Sequence, residues 1–363
     1  MVNRAKYRKV TEWINKRISS GELKAGSRLE SENEISRIFG ISRQTVRHAL
    51  AVLEQENILV KIKGSGTYVG PRPDQDADHA AVSRTVTIIS TYIDGYIFPR
   101  ILKEMVKTLG ESGYSVKLMY TENHLETERR LLGRLLEENS HDALIVEPVM
   151  SGIPNPNLDC YRKLQERGIP ILFFHSNYPE LNIPCVSMDD VDAGRKATEY
   201  LLLQGHTEIA GIFKADDGQG RRRFRGMAEA LHQAGLRLDE SRICWIDTQD
   251  IRTPAQFGDR VLKRLENCTA CVCYNDEVAH LLTETCLERG IRIPEDLSVT
   301  SIDNSDLAKL NAVPLTSVVH PMERLGRKAA ENMLKLIQDR EYDASCFFPC
   351  GIEERASVRK INR

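Results

Sequence analysis

The chain is 363 residues long and 41% apolar, too long for one ordinary domain and too apolar for wholesale disorder, so two to three folded domains are expected. Its net charge of −2 is unevenly spread: within residues 1–70 thirteen Lys and Arg face seven Glu, which leaves this head near +6 and the remainder near −8. A basic head suits contact with phosphates, and an acidic body does not. No apolar run is long enough to span a membrane, and the opening MVNRAKYRKV has no apolar signal core, so a cytoplasmic protein is expected. Three of the nine cysteines, Cys268, Cys271 and Cys273, fall in the apolar run CTACVCY. As a strand this run points Cys271 and Cys273 to one face, and no His or Cys set follows at zinc spacing. Buried thiols in a reducing compartment are the reading, with no metal and no cofactor expected.

In chain order, Tyr7 to Ser19 reads as an amphipathic helix with Val10, Trp13, Ile14 and Ile18 on one face. Gly21 and Gly26 bracket a turn. Ser31, with Glu34 three residues on, makes a capping box for a short helix that ends at Phe39-Gly40. Ser42 caps the next helix, whose buried stripe is Val46, Leu50 and Leu53. An apolar strand follows, then a Gly64-Ser65-Gly66 tip and a second short strand. The order helix, turn, helix, wing over residues 1–70 predicts a small winged helix-turn-helix domain. A helix that enters the major groove must present long donors near its N-terminus. Arg43, Gln44, Arg47 and His48 occupy the first two turns of the Ser42 helix. Arg can fork onto guanine and Gln can pair with adenine. Lys6, Ser31, Glu32, Ser42 and Thr45 complete the expected DNA interface, chiefly at the phosphates. At the wing, Gly64 and Gly66 allow close backbone approach and Lys63 adds charge. A solvated basic helix is the bland alternative for the arginines alone, and the ordered cap, turn, helix and wing weigh against it.

Residues 71–84, PRPDQDADHAAVSR, are polar, lack periodicity and read as a linker. From Thr85 to the end, residues 85–363, apolar β-type runs alternate with helical stretches. The first series is VTIIS, SVKLMY, ALIVE and ILFFH, and the second is CVSM, IAGIF, ICWI, ACVCY and SVTSI. Two such series predict a two-lobed α/β body of parallel sheets flanked by helices. Its ligand crevice would lie between the lobes at the carboxyl ends of the strands. Those ends carry Glu147, His175, Asn275, Asp303 and His320, the helix opening GQGRRRFRGM carries Gln219 and Arg223, and STYIDGYIFP brings Tyr96 and Phe98. Hydroxyl-rich ligands want such planar polar groups and an aromatic face against their C–H side. Singly, each has a duller role: a strand-end Asp or Asn often only caps the next helix, and arginines such as Arg221, Arg222 and Arg225 form a solvated face. Their recurrence at the same end of successive strands carries the prediction.

The head resembles the GntR family of regulators. It has GELKAGSRL, ENEISRIFGISRQTVRHAL and GSGTYV at that family's usual positions. The resemblance singles out Arg43, Arg47 and Gly66 as DNA contacts. Glu30 stands where the family usually has Pro, so a looser approach to the second helix is expected. The body resembles the LacI/GalR type of effector domain, with the periplasmic-binding-protein fold, through LLLQGHTEIAGI, DDGQGRRRFRG, CYNDEVA, IPEDLSV and LTSVVHPMERLGRKA. That resemblance places ligand contacts at Arg223, Asn275, Asp303 and His175. The segment SIDNS departs from the family's usual GYDD, although Asp303 is retained. A GntR head on a LacI-type body is an uncommon pairing. With TYIDGYIFP, IVEP and TSVVHP it resembles the arabinose-responsive repressors of low-GC Gram-positive bacteria. The resemblance implies a homodimer that binds operator double-stranded DNA and is released by a small sugar, L-arabinose, to control arabinose or pentose utilisation genes. A regulator answering to another polyol, or a sugar-dependent activator, stays open at this stage. Against an enzyme stand the lack of a Walker loop, GxSxG, HExxH or a catalytic carboxylate pair. Against a transport binding protein stands the fused basic head.

Overall fold

The computed structural model describes residues 2–24, 26–55, 58–62, 66–70, 84–138 and 143–361, with backbone alone at 2–8, 55, 62, 66 and 254–257. Two compact units emerge, residues 1–81 and 82–363. Most of the 71–84 segment lies outside the described residues.

In the first unit, α1 (Val2–Ser19), α2 (Glu32–Phe39) and α3 (Arg43–Gln55) precede β1 (Leu59–Ile62) and β2 (Gly66–Val69), which pair antiparallel. Helix α1 begins five residues before the expected Tyr7, because its first turn carries no apolar stripe for periodicity to detect. Val10, Ile14, Ile18, Ile35, Val46, Leu50, Leu53, Leu59 and Val69 form one buried cluster, so the helical stripes read from the sequence face the same core. The Ser31–Glu34 capping box is present at both of its bonds. Gly40 ends α2 in the left-handed region at φ 59°, which lets the chain turn directly into α3. The approach to α2 is not loosened by Glu30. Arg17, stacked 4.5 Å over the Trp13 ring, donates to the Glu30 carboxylate at 2.7 Å and ties this segment to α1. An ion pair thus does the anchoring that a proline would do by stiffness.

The second unit contains two lobes. The elements are β3 (Thr85–Ser90), α4 (Phe98–Glu111), β4 (Ser115–Tyr120), α5 (Leu125–Glu137), β5 (Ala143–Val146), α6 (Leu158–Glu166), β6 (Ile171–Phe174), β7 (Cys185–Met188), α7 (Asp190–Leu203), β8 (Ile209–Lys214) and α8 (Gly218–Gln233). They continue with β9 (Ile243–Ile246), α9 (Thr248–Arg252), α10 (Pro254–Leu265), β10 (Ala270–Cys273), α11 (Asp276–Glu288), β11 (Ser298–Asp303), α12 (Asp306–Leu310), β12 (Thr316–Val319), α13 (Met322–Gln338), β13 (Cys346–Phe348) and β14 (Gly351–Glu353). The first sheet runs β13-β7-β6-β5-β3-β4, all parallel; the second runs β14-β12-β11-β10-β8-β9, with β14 antiparallel. The inner strands β3, β5, β6, β7, β8, β10 and β11 are buried on both faces, as parallel sheets require, while the edge strands β4, β9, β13 and β14 are partly exposed. Cys271 and Cys273 do share a face and are buried, while Ala270 and Val272 face the opposite cluster.

The lobe boundary differs from the sequence reading in one place. CVSM, counted with the second series, is β7 and pairs with β6 in the first sheet. Alternation counts strands but does not name a strand's partner. The chain then crosses between lobes at 188–190, returns at 319–322 through α13 and β13 to the first sheet, and crosses again at 348–351 into β14. Three crossings make a hinge that a single passage would not. Between α7 and α8 the backbones meet closely. A Cβ on Gly194 would come within 1.9 Å of the Arg223 carbonyl oxygen, and one on Gly226 within 2.0 Å of the Val191 carbonyl oxygen. Only glycine allows this approach, and it sets the helix carrying Arg223 hard against the hinge.

Candidate functional site

All nine residues predicted for the crevice, Tyr96, Phe98, Glu147, His175, Gln219, Arg223, Asn275, Asp303 and His320, line one cavity of about 330 Å³ between the lobes of the second unit. The convergence follows from strand polarity. In both sheets the parallel strands point their carboxyl ends at the interlobe space, so the residues that follow them meet there.

Arg223 lies at the centre and is 4% exposed. Its Nε donates to Asp190 at 3.0 Å and its Nη1 to the Tyr274 carbonyl at 2.7 Å, while Nη2 sits 3.4 Å from Asp303. The guanidinium carbon stands 4.9 Å over the Tyr274 ring. Burial alone would lower the Arg223 pKa, but Asp303 and Asp190 together hold it above its usual value. Asp303 closes β11 at φ 111°, a backbone region that costs an L-residue energy and is kept only where the surroundings enforce it. Burial pushes its carboxyl up to about 7; Arg223 opposes that shift and Asp276 adds to it. The enforcing surroundings are the residues that depart from the family pattern. Asn304 donates its N–H to Ser317 at 2.9 Å and accepts from Arg355 at 2.6 Å. Ser305 gives both its N–H and its hydroxyl to Asp276, at 2.7 and 2.8 Å. SIDNS is thus a rebuilt support for a retained Asp303.

The first lobe answers with Tyr96, itself in the left-handed region at φ 50°. Its hydroxyl donates to Asp303 at 2.5 Å and accepts from the Asp276 N–H at 3.2 Å, spanning the crevice. Glu147 is committed to its own lobe: one oxygen accepts from Ser90, the Thr91 N–H and the Thr91 hydroxyl, and the other faces His175 Nδ1 at 2.7 Å. It therefore positions His175 rather than reaching outward. Asn275 has both roles considered for it. Its Oδ1 caps α11 through the Val278 N–H at 3.0 Å, and its side chain still borders the cavity. Phe98 presents its ring edge-on, 6.0 Å from His175, and supplies apolar surface.

Sequence reasoning missed several lining residues. Lys214 ends β8 buried, with Nζ 2.6 Å from Asp217. Burial would lower its pKa, yet Asp217 and Asp216 hold it raised. A lysine closing an otherwise apolar strand was the available signal. Asp190, Tyr274 and Glu277 also line the cavity, and they become visible only as partners of Arg223 and Asn275. At the rim of the cavity, two lips join the lobes. On one side the Gly152 N–H donates to the Asp216 carbonyl at 2.9 Å, Arg221 to the Gly152 carbonyl at 2.7 Å, and the Gly218 N–H to Ser151 at 3.0 Å. On the other side Asn123 donates to Thr248 at 2.9 Å and Arg252 to the Glu122 carbonyl at 3.0 Å. The lobes are closed on one another.

In the first unit, α3 buries Val46, Ala49 and Leu50 and exposes Arg43, Gln44, Arg47 and His48 on its other face. Four of the predicted interface groups have local roles. Ser31 is held in its capping box, and the Ser42 hydroxyl accepts from the Thr45 N–H at 3.3 Å and bonds the Thr45 hydroxyl at 2.9 Å. Glu32 pairs with Arg47 at 2.8 Å and Lys61 at 3.4 Å; the Arg47 hydrogen bond chiefly holds its carboxyl below the usual range. Gly66 opens β2. The Lys6 side chain, Lys63 and Gly64 lie outside the described residues.

A helix-turn-helix with a two-stranded wing, joined in one chain to a two-lobed body with a polar crevice, defines a regulator of transcription with an effector-binding domain. Residues 6–69 match the bacterial regulatory proteins of the gntR family, and residues 198–358 match the periplasmic binding protein-like domain. The chain is 37% identical over 342 residues, 93% of each chain, to the arabinose metabolism transcriptional repressor of Geobacillus stearothermophilus. It is 36% identical over 343 residues, 94% of this chain and 91% of the other, to the protein of the same name from Halalkalibacterium halodurans. Among solved structures, a complex of the transcriptional regulator CelR with cellobiose shares the fold, with a TM-score of 0.68 at 20% identity over 91% of this chain and 100% of that one. The chain belongs to the family of arabinose metabolism transcriptional repressors. Among the described residues no helix is long and apolar enough to cross a membrane.

Proposed function

We propose that this protein is a cytoplasmic homodimer that holds operator DNA through α3 and the wing and lets go when L-arabinose binds the crevice. The observation that carries the reading is the convergence of the nine crevice residues on one cavity between the lobes in a chain so similar to arabinose metabolism repressors. A pentose fits the chemistry. Ring hydroxyls each donate and accept, and Asp303, Arg223 and Asn275 offer the planar partners, with Phe98 for the apolar side of the ring. Tyr96 and Asp303 come from different lobes and meet directly, so a ligand that touches residues of both lobes favours the closed body over the open one. Coupling of this kind is reciprocal, so operator DNA must weaken sugar binding by the factor by which sugar weakens operator binding. The DNA contacts proposed are Arg43, Gln44 and Arg47 at base edges, with Ser42, Thr45 and Gly66 near phosphates. A symmetric dimer calls for two half-sites related by a two-fold axis.

The test is fluorescence anisotropy of the full-length protein on its own promoter DNA at fixed salt. It is titrated with L-arabinose and, as controls, D-xylose, D-ribose, D-galactose and glucose. Release by L-arabinose alone is the expected result. DNA binding that no sugar releases overturns the effector assignment, and tighter DNA binding with sugar reverses the sign of the coupling.

A further inference from the structure

The two lips at the rim of the crevice are linked to each other. After β4, Asn123 gives an Nδ2–H to the Thr248 hydroxyl at 2.9 Å, across the lobes. That hydroxyl donates in turn to Asp216 Oδ2 at 2.5 Å, and the Thr248 N–H reaches the same oxygen at 3.0 Å. The Asp216 carbonyl accepts from the Gly152 N–H at 2.9 Å, which carries the path back across the lobes. Two residues before Gly152, the Met150 N–H donates to Asn123 Oδ1 at 2.8 Å and closes the circuit. Each group is used as its chemistry allows: the Thr248 hydroxyl accepts once and donates once, and the Asn123 amide accepts at oxygen and donates at nitrogen.

The circuit is braced on both sides. Glu122, Asn123 and Met150 lie in the left-handed region, at φ 53°, 57° and 44°. Non-glycine residues keep such conformations where their surroundings enforce them, and Asn123 and Met150 are bonded into the circuit itself. Behind the first-lobe lip stands the wholly buried Glu128, which accepts from Asn155 and Asn157 at 2.8 Å each and from Tyr161 at 2.7 Å. The loop that carries Met150 and Gly152 is thereby tied to α5 and α6. In the opposite lobe Thr248 opens α9 and is fastened to Asp216 by two bonds. Asp216 is 4% exposed and is not among the residues that line the cavity. With braced segments on both sides, one crossing cannot part without displacing the groups of the other.

We propose that the two lips form one clasp, joined through the Asp216 side chain, which holds the lobes together apart from any contact with the ligand and sets how fast the effector leaves. The second half rests on the crevice being the effector site. A ligand enclosed between lobes leaves when they part, so the bonds that must break first lengthen its stay. Arg221 on the Gly152 carbonyl and Arg252 on the Glu122 carbonyl reinforce the same two crossings. Asp216 is the positioning residue, because its side chain joins the crossings without itself reaching the other lobe.

The test uses the full-length protein as wild type, Asp216→Ala, Asp216→Asn and Thr248→Val. Amide hydrogen exchange without sugar, read by mass spectrometry on peptides spanning 149–153, reports on the first-lobe lip. Asp216→Ala leaves the groups of both crossings in place, and Lys214 keeps Asp217 at 2.6 Å. Exchange in those peptides should nevertheless quicken about threefold to tenfold, the value of one hydrogen bond. Asp216→Asn, whose amide oxygen takes the place of Oδ2, should restore slow exchange. Release of bound L-arabinose, read from relaxation dispersion of the sugar's NMR signals, should quicken by a similar factor in Asp216→Ala and not in Asp216→Asn. Thr248→Val removes the bridging hydroxyl and keeps the side chain's shape. It should reproduce both changes, and it decides the matter should Asp216→Ala fail to fold. Exchange at 149–153 that is the same in wild type, Asp216→Ala and Thr248→Val overturns the clasp. Faster exchange with an unchanged release rate overturns its control of the effector. If L-arabinose does not bind the wild type, the effector reading fails on its own; exchange still decides the clasp, and release is measured with whichever of D-xylose, D-ribose, D-galactose and glucose binds. Binding of none of them overturns the control of the effector as well.

Discussion

The crevice and the recognition helix treat charge in opposite ways. Arg223 is buried, contacts two carboxylates and a carbonyl, and stands where backbone strain at Asp303 and Tyr96 is maintained by the residues around them. Arg47 stands two-thirds exposed on α3 with an ion pair to Glu32 as its contact. A buried network is organised before its ligand arrives, and removing one member leaves the others unpaired in a poor solvent. An exposed arginine keeps its freedom and its water until a phosphate or base edge replaces both. The crevice arginine is therefore built into the stability of the body, whereas the exposed arginine of α3 contributes little to the stability of the head.

Arg223→Ala puts this contrast under the heaviest load. It strands Asp190 and Asp303, and the expected loss is about 3–5 kcal/mol of stability, as for other broken buried pairs. Thermal unfolding should show a large drop in the body's transition, and operator DNA should no longer respond to sugar. A body of unchanged stability would mean that the network is not the support it looks to be. Gly152→Val comes next. A Cβ at Gly152 would sit 2.3 Å from the Ala215 carbonyl oxygen across the lip, so closure is blocked without touching the cavity lining. Overpacking of this kind costs about 1–3 kcal/mol, and sugar affinity should fall about tenfold or more while DNA affinity without sugar is retained. Arg47→Ala should weaken operator binding about tenfold, flatten its salt dependence, and leave both sugar affinity and the unfolding midpoint where they were. Sugar affinity falling in parallel would break the division between the two surfaces.

The contrast also has a pH profile. Asp303 has its carboxyl raised to about 7 in the folded protein, so between about 4 and 7 the folded state holds a proton that the unfolded chain has lost. Its contribution is therefore greatest below that window, falls as pH rises through it, and is level above. Unfolding midpoints measured from pH 4.5 to 8 should drop more steeply in the wild type than in Asp303→Asn. Parallel profiles would show that the Arg223 and Tyr96 contacts outweigh burial.

Much of this architecture was legible in the chain. Val10, Ile14 and Ile18 at helical spacing, the Ser31–Glu34 box and the glycine at 40 each express a local rule whose energy is settled within a few residues. The crevice was legible for a less local reason. Parallel strands leave their carboxyl ends together, so residues following separate runs could be assigned to one place before any contact was known. That logic reached Glu147 and His175 but not their division of labour, in which the carboxylate holds the imidazole in place.

What stayed hidden depends on pairs distant in sequence. CVSM carries no mark that says which sheet it joins, since an apolar strand pairs equally well with either until β6 lies beside it. The return of α13 and β13 to the first lobe, the ion pair that makes Glu30 an anchor, and the lip at Gly152 are likewise contacts between segments 13 to some 200 residues apart. Periodicity, caps and turn residues act through the backbone of one segment and are written there. Partner choice, burial of charge and the closeness of two backbones are properties of a pair, and they take a value only when the folded chain brings the pair together.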